Sequence, residues 1–310
     1  MGASSVNVSL GNVNTVTGYL RLIFKLDEQY NDYWSSEFSN VTPNKNLKDM
    51  LVTCFRGQAD ARWNLSPSIF REYQENAESL AMRELMIESP DEFNNDRLMF
   101  DKLVRAQHYG LPTRLLDVSL NPLVALYFAC CEFEDECDGK VYIIGFKNNR
   151  VKFSDSDTIS LISNLARLND EEKKVIKESR GMNNSEFRKL NVIKRLVNFV
   201  QAEKSFFSNS VIRADLFKYF FVYPSKNNKR VVAQSGAFIS SGVLEYTNPG
   251  GNEGIMLLDV TIPAGSKGKI KDELDKLNIN SRSLFPEIEF ASHYIKKKYQ
   301  QKPKQESPKA

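Results

Sequence analysis

Residues 107–129 read QHYGLPTRLLDVSLNPLVALYFA, and the step Asn121-Pro122 within them decides how the surrounding chain is read. Asn suits a helix N-cap because its side-chain oxygen accepts a free backbone N–H, and Pro suits the first helical position, where no N–H is needed. The helix that follows places Leu123, Leu126, Tyr127, Cys130 and Cys131 on one stripe. Val124, Ala125, Phe128 and Ala129 cover much of the rest, so this helix is expected to be buried on most sides. Upstream, a helix is expected over 92–110, with Asp91 as N-cap and Gly110 as its stop. That puts His108 in a last helical turn.

Outward from this stretch, 77–88 reads as a helix stopped by Pro90, and 17–30 as an amphipathic helix through Tyr19, Leu22, Ile23 and Leu26. The segment 50–55 is short and apolar on both faces apart from Thr53, the pattern of a buried strand, and it ends at Arg56-Gly57. Asp138-Gly139 turns the chain into a strand over 141–146, and further strands are expected at 217–223, 237–240 and 255–262, the last ended by Pro263. Helices over 267–277 and 287–299 follow, the second with Ile288, Ala291, Ile295 and Tyr299 along one side. The segment 155–209, rich in Lys, Glu, Asn and Ser with a stripe at Val192, Leu196, Phe199 and Val200, reads as a helical insertion with solvated charged faces. No interdomain linker is evident, so 1–299 is read as one domain and 300–310 as a disordered lysine-rich tail.

Composition narrows the function classes. With 41% hydrophobic and 26% charged residues in 310, the chain is globular and large enough for a real core. Its net charge is +3, but 296–310 hold six Lys against one Glu, leaving −2 for the body and no basic footprint for duplex DNA. No apolar run reaches the 18 or so residues of a membrane span, and Met1-Gly2-Ala3-Ser4 does not open a signal peptide. Val6 stands where a myristoylation signal has Ser or Thr. A cytoplasmic, non-membrane protein is expected. The four cysteines then read as reduced thiols; Cys130, Cys131 and Cys137 with His108 lack metal-ligand spacing and are expected to pack in the core.

Three spots combine turn residues with polar groups that are costly to bury alone: Phe55-Arg56-Gly57-Gln58, the run from Gln107 to Ser119, and Gln234-Ser235-Gly236-Ala237-Phe238. On these residues, with Trp63 to Arg71 and Leu284-Phe285-Pro286-Glu287, the chain resembles the FRG domain family from about Thr15 to Tyr299. Val118 departs from that pattern, which usually has Trp there. The order Arg56, then Ser119 before a helix with Ala125 and Phe128, then Glu287 or Glu289, is in turn similar to ADP-ribosyltransferases of the Arg, Ser, Glu type. Asp117-Val118-Ser119 replaces their Ser-Thr-Ser triplet.

This second resemblance implies an α+β fold with a mixed, mainly antiparallel sheet, and a site that takes NAD as substrate. Arg56 would clamp the pyrophosphate, Ser119 anchor a ribose, and Glu287 stand near the anomeric carbon, with His108 as a second catalytic candidate. Tyr109 and Phe238 would stack on rings, and Gln58, Thr113, Asp117 and Gln234 would line the pocket. Each residue also has a plainer reading: Arg56 paired with Asp117 or Asp60, Asp117 and Ser119 capping a turn, His108 bonding a carbonyl, and Glu287 complementing a helix dipole. The acceptor would be a protein, a nucleic acid or water, and a toxin or phage-defence role would suit such an activity. The alternatives are a non-catalytic module binding a nucleotide or phosphorylated ligand, and single-stranded RNA binding through aromatics and the tail, which the body charge disfavours.

Overall fold

The computed structural model describes residues 8–37, 52–70, 73–131, 136–243 and 252–299; the tail expected over 300–310 lies outside them. Eight strands form one sheet: β1 (Val8–Asn12), β2 (Val52–Gln58), β3 (Leu115–Ser119), β4 (Gly139–Phe146), β5 (Val151–Phe153), β6 (Tyr219–Tyr223), β7 (Gly236–Ser241) and β8 (Ile255–Ile262). Their order is β1-β8-β4-β2-β3-β7-β6-β5. The two outermost pairs, β1 with β8 and β5 with β6, are parallel, and all the others are antiparallel. The expected α+β class with a mixed, mainly antiparallel sheet is what the chain adopts.

Before the insertion come α1 (Val16–Glu37), α2 (Ala77–Glu88), α3 (Met99–His108) and α4 (Pro122–Ala129). Within and just after it come α5 (Asp157–Asn164), α6 (Asp170–Glu178), α7 (Asn184–Phe187), α8 (Asn191–Gln201) and α9 (Lys229–Ala233), and the chain closes with α10 (Ala264–Lys276), α11 (Ser281–Leu284) and α12 (Ile288–Tyr299). The cap of α4 is as expected: Asn121 Oδ1 accepts from the Leu123 N–H at 2.9 Å, with Pro122 first in the helix.

Hydrophobic alternation divides the packing into three layers. Phe55, Val141, Ile143 and Leu258 pack with Ala125, Leu126 and Ala129 of α4 and with Ile270 and Leu274 of α10. Leu115, Phe220, Val222 and Phe238 pack instead against α3, α5 and α8. The opposite face gathers Cys54, Tyr142 and Ile144 together with Leu116, Val118, Phe221 and Ile239. The sheet is thus clad by different helices on its two halves, and the halves meet between β2 and β3. There the pairing is confined to Phe55 opposite Ser119, whereas β2 pairs with β4 along its whole length, from Val52–Phe146 to Gln58–Lys140.

Three expectations need correction. The strand read as ending before Arg56-Gly57 runs through both to Gln58, because β4 supplies partners that far. The helix expected from 92 begins at Met99; Asp91 sits inside a separate 3₁₀ turn, Pro90–Phe93, and its carboxylate accepts from Asn94 Nδ2 rather than capping a long helix. The segment 155–209 is helical, and Ile159, Ile162, Leu165, Ile193, Leu196 and Val200 are fully buried in the layer that holds Leu115. The stripe on α12 does not face a core, since Ile288 and Ile295 are 77% and 47% exposed. Of the cysteines, Cys54 and Cys130 are buried, and burial raises the Cys130 thiol to about 12, so it is inert at neutral pH.

Candidate functional site

The β2–β3 seam opens into a cavity of about 250 Å³. Its walls come from β2 (Phe55, Arg56, Gly57), the end of α3 (Gln107, His108), β3 (Asp117, Val118, Ser119), α4 (Val124, Ala125, Phe128), the α9 region (Asn228, Arg230, Gln234) and the start of β7 (Gly236, Ala237, Phe238). Gly57 makes this closeness possible. A Cβ there would lie 1.8 Å from the Ala125 carbonyl oxygen, so α4 can lie on β2 only where the strand has no side chain. The preceding residue points the other way, and Arg56 Nη1 donates to the Asp117 backbone carbonyl at 2.7 Å, tying the halves across the seam. Arg56 thus meets Asp117 through its backbone carbonyl, and the Asp60 carboxylate is held by Arg62.

Asp117 is positioned by a relay. Thr113 Oγ1 donates to Gln107 Oε1, and Gln107 Nε2 donates to Asp117 Oδ2. Thr113 is buried behind this relay and does not reach the cavity, whereas the Asp117 side chain is exposed. Ser119 is a hinge pin between strands: its Oγ donates to the Gln234 carbonyl at 2.7 Å and accepts from the Asn121 N–H at 3.0 Å. The hydroxyl proton is therefore used within the protein, as the turn-capping reading had it. Gln234 lines the cavity and its Nε2 donates to the Leu284 carbonyl at 3.1 Å, which fastens the segment carrying Glu287 beside the site.

His108 Nε2 lies 3.4 Å from Glu287 Oε1. The other polar atoms of this couple, His108 Nδ1 and Glu287 Oε2, are buried without a hydrogen-bond partner among the described residues. Burial pushes the imidazole below its ordinary 6.5; Glu287 opposes this, while Arg230 and Arg105 add to it. The ring is accordingly neutral at pH 7, with one nitrogen able to accept a proton or donate one.

Of the other expected site residues, Phe238 lines the cavity and touches Phe100 edge to face, 5.8 Å between centroids. Tyr109 turns away, its hydroxyl donating to Glu92 at 2.6 Å, and Gln58 is buried with its amide on the Asn64 carbonyl at 3.4 Å. Sequence reading missed Gln107 and Arg230. Gln107 had a signal, its place one residue before His108 in the last turn of α3. Arg230 had none, because only the fold brings α9 over the seam, where the guanidinium stacks 4.8 Å from the centre of the Phe285 ring. Among the described residues no group of three His, Cys, Asp or Glu side chains is placed to hold a metal ion.

Residues 52–137 match the family model of the FRG domain. That stretch is similar to the FRG domain. No curated protein and no solved structure matches the chain. The FRG match begins with β2 and ends just before β4, so it contains the Phe55-Arg56-Gly57 motif, the Gln107–Thr113–Asp117 relay and α4. It thus supplies one wall of the cavity. Arg230, Gln234 and Phe238, which supply the other wall, and Glu287, which touches His108 beside it, lie beyond the FRG match.

Proposed function

We propose that the FRG cleft binds NAD and breaks its nicotinamide–ribose bond, passing ADP-ribose to a protein or nucleic-acid acceptor or to water. The observation that carries this reading is the His108–Glu287 couple, with two buried, unpartnered polar atoms beside a cavity that also holds two guanidinium groups. An unsatisfied buried polar atom costs about 1–3 kcal/mol, so two on one couple favour a ligand that satisfies them. The cavity's 250 Å³ is just below the roughly 300–1,000 Å³ usual for small-molecule sites, which suits one nucleoside half with the phosphates at the mouth.

In this reading Arg56 and Arg230 bind phosphate, and Phe128 and Phe238 give the ring an apolar wall that excludes water. Asp117, held by Gln107, accepts hydrogen bonds from ribose hydroxyls. Glu287 supplies the negative charge that stabilises the electron-poor ribose carbon as the bond breaks, and His108 orients it. Ser119 acts by shaping the wall. A non-catalytic nucleotide-binding module is the second reading, favoured by the position of Glu287, which touches His108 and does not itself line the cavity. Incubating the protein with nicotinamide-labelled NAD, beside a binding titration, separates the two. Released nicotinamide supports cleavage, saturable binding without release supports the module, and neither result rejects both.

A further inference from the structure

A second concavity lies between α2 and the insertion, away from the seam. Two adjoining cavities of about 130 and 230 Å³ share Ser79 and Arg83 of α2, Arg167 from the turn after α5, and Arg195 of α8. None of these four residues lines the β2–β3 cavity. The insertion holds its two arginines on one ring: the Arg167 and Arg195 guanidinium carbons lie 4.0 and 5.5 Å from the centre of Phe199.

The nearby acids neutralise this cluster only in part, through Glu172, which lines the larger cavity. Glu172 Oε1 accepts from Arg195 Nη1 at 2.9 Å, while its Oε2 accepts from the Asn169 N–H at 3.0 Å in the capping box of α6. Glu203 faces Arg167 from behind, and its Oε1 is occupied by Asn164 Nδ2 and the Met99 N–H. Among the described residues neither Arg83 nor Arg167 has a carboxylate within ion-pair distance; the polar contact of Arg167 is Asn164 Oδ1 at 3.4 Å. Burial disfavours the charged form of Arg167, Glu203 opposes that, and Arg83 and Arg195 then add like-charge repulsion. Arginine forks that converge in excess of their acids, here three guanidinium groups on one paired carboxylate, are a donor set that recognises phosphate oxygens.

We propose that this groove binds a phosphoryl group, as free phosphate or diphosphate or as the diphosphate of a nucleotide. Each cavity exceeds the ~30 Å³ share of one water several times over but is smaller than a usual small-molecule pocket, so the phosphate moiety is what it encloses. The test is thermal melting and calorimetry of the full chain with inorganic pyrophosphate, against sodium chloride at equal ionic strength. Saturable stabilisation is expected, roughly 2–4 °C at ten times Kd. Arg83→Gln, at an exposed position that leaves the fold intact, should weaken binding at least about tenfold, the scale of one charge-assisted hydrogen bond. Arg83→Gln with Arg167→Gln should abolish it. ADP binding no tighter than pyrophosphate supports recognition of the phosphates alone, and tighter ADP binding that Arg83→Gln also weakens supports a nucleotide diphosphate. No effect beyond chloride, or full binding in the double variant, overturns the proposal.

Discussion

Adding a single methyl group at Gly57 should be among the most damaging substitutions in the molecule. In Gly57→Ala the new Cβ meets the Ala125 carbonyl oxygen at 1.8 Å and the Ala129 amide nitrogen at 2.7 Å, and both are backbone atoms that no rotamer change can move. α4 must lift from β2, with an expected loss of about 3 kcal/mol or more, read from urea denaturation. Arg114, four residues before β3 reaches Val118, makes the complementary point for charge. Its Nε and Nη2 donate to the two oxygens of Glu78 at 2.6 Å each, and Lys173 of α6 adds a third bond at 2.9 Å. Burial alone would raise the Glu78 carboxyl, yet Arg114 and Lys173 hold it at about 2. A folded pKa below the ordinary 4.5 means the stabilisation is present above pH 4.5 and is lost as pH falls through about 2. Glu78→Gln should destabilise the protein by about 3–5 kcal/mol at pH 7, because Arg114 stays buried without a counter-ion. The deficit should shrink toward pH 2, and a pH series of melting curves checks both points.

At the scale of elements, the insertion changes what a deletion experiment should show. Removing 157–201 and closing the gap would strip Ile159, Ile162, Leu165, Leu196 and Val200 from a layer that also holds Phe100, Leu103 and Leu115. It would also remove Lys173 from Glu78. The remaining chain should therefore lose its cooperative transition, rather than persist as a smaller folded domain, as followed by near-ultraviolet circular dichroism. The helices themselves were legible: the stripe Val192, Leu196, Val200 is buried as its spacing implies. Their packing partners were not, since the groups they cover are scattered on both sides in the chain, from Phe100, Leu103 and Leu115 to Phe220, Val222 and Phe238, and leave no local mark. Phe199, read as part of that stripe, packs at the edge of the layer and also serves as the platform for two arginines. The same limit explains 90–98: Pro90 gave a clear stop, but whether the next residues continue as helix or as a 3₁₀ turn depends on Phe93 being drawn into the core.

Across the whole molecule, the site is legible to the extent that a wall is written in contiguous sequence. The Phe55-Arg56-Gly57 motif and the run from Gln107 to Ser119 could be assigned to one cleft because turns and caps place them locally, while Arg230 arrives on a five-residue helix with no signal of its own. That asymmetry also orders the chemical test. Arg56 crosses the seam with one guanidinium nitrogen on the Asp117 carbonyl. In Arg56→Lys an ammonium can hold the seam or bind phosphate but lacks the planar fork for both, so NAD affinity should fall about tenfold or more. Glu287→Gln keeps the shape beside His108 and removes the charge. If Glu287 acts on the breaking bond, NAD affinity should hold while turnover drops about a hundredfold or more, the scale of a single electrostatic group. Equal loss of binding in both variants would mean that Glu287 only orders the pocket. Unchanged nicotinamide release in Glu287→Gln would remove it from the chemistry, leaving Asp117 as the carboxylate lining the cavity to be tested in its place.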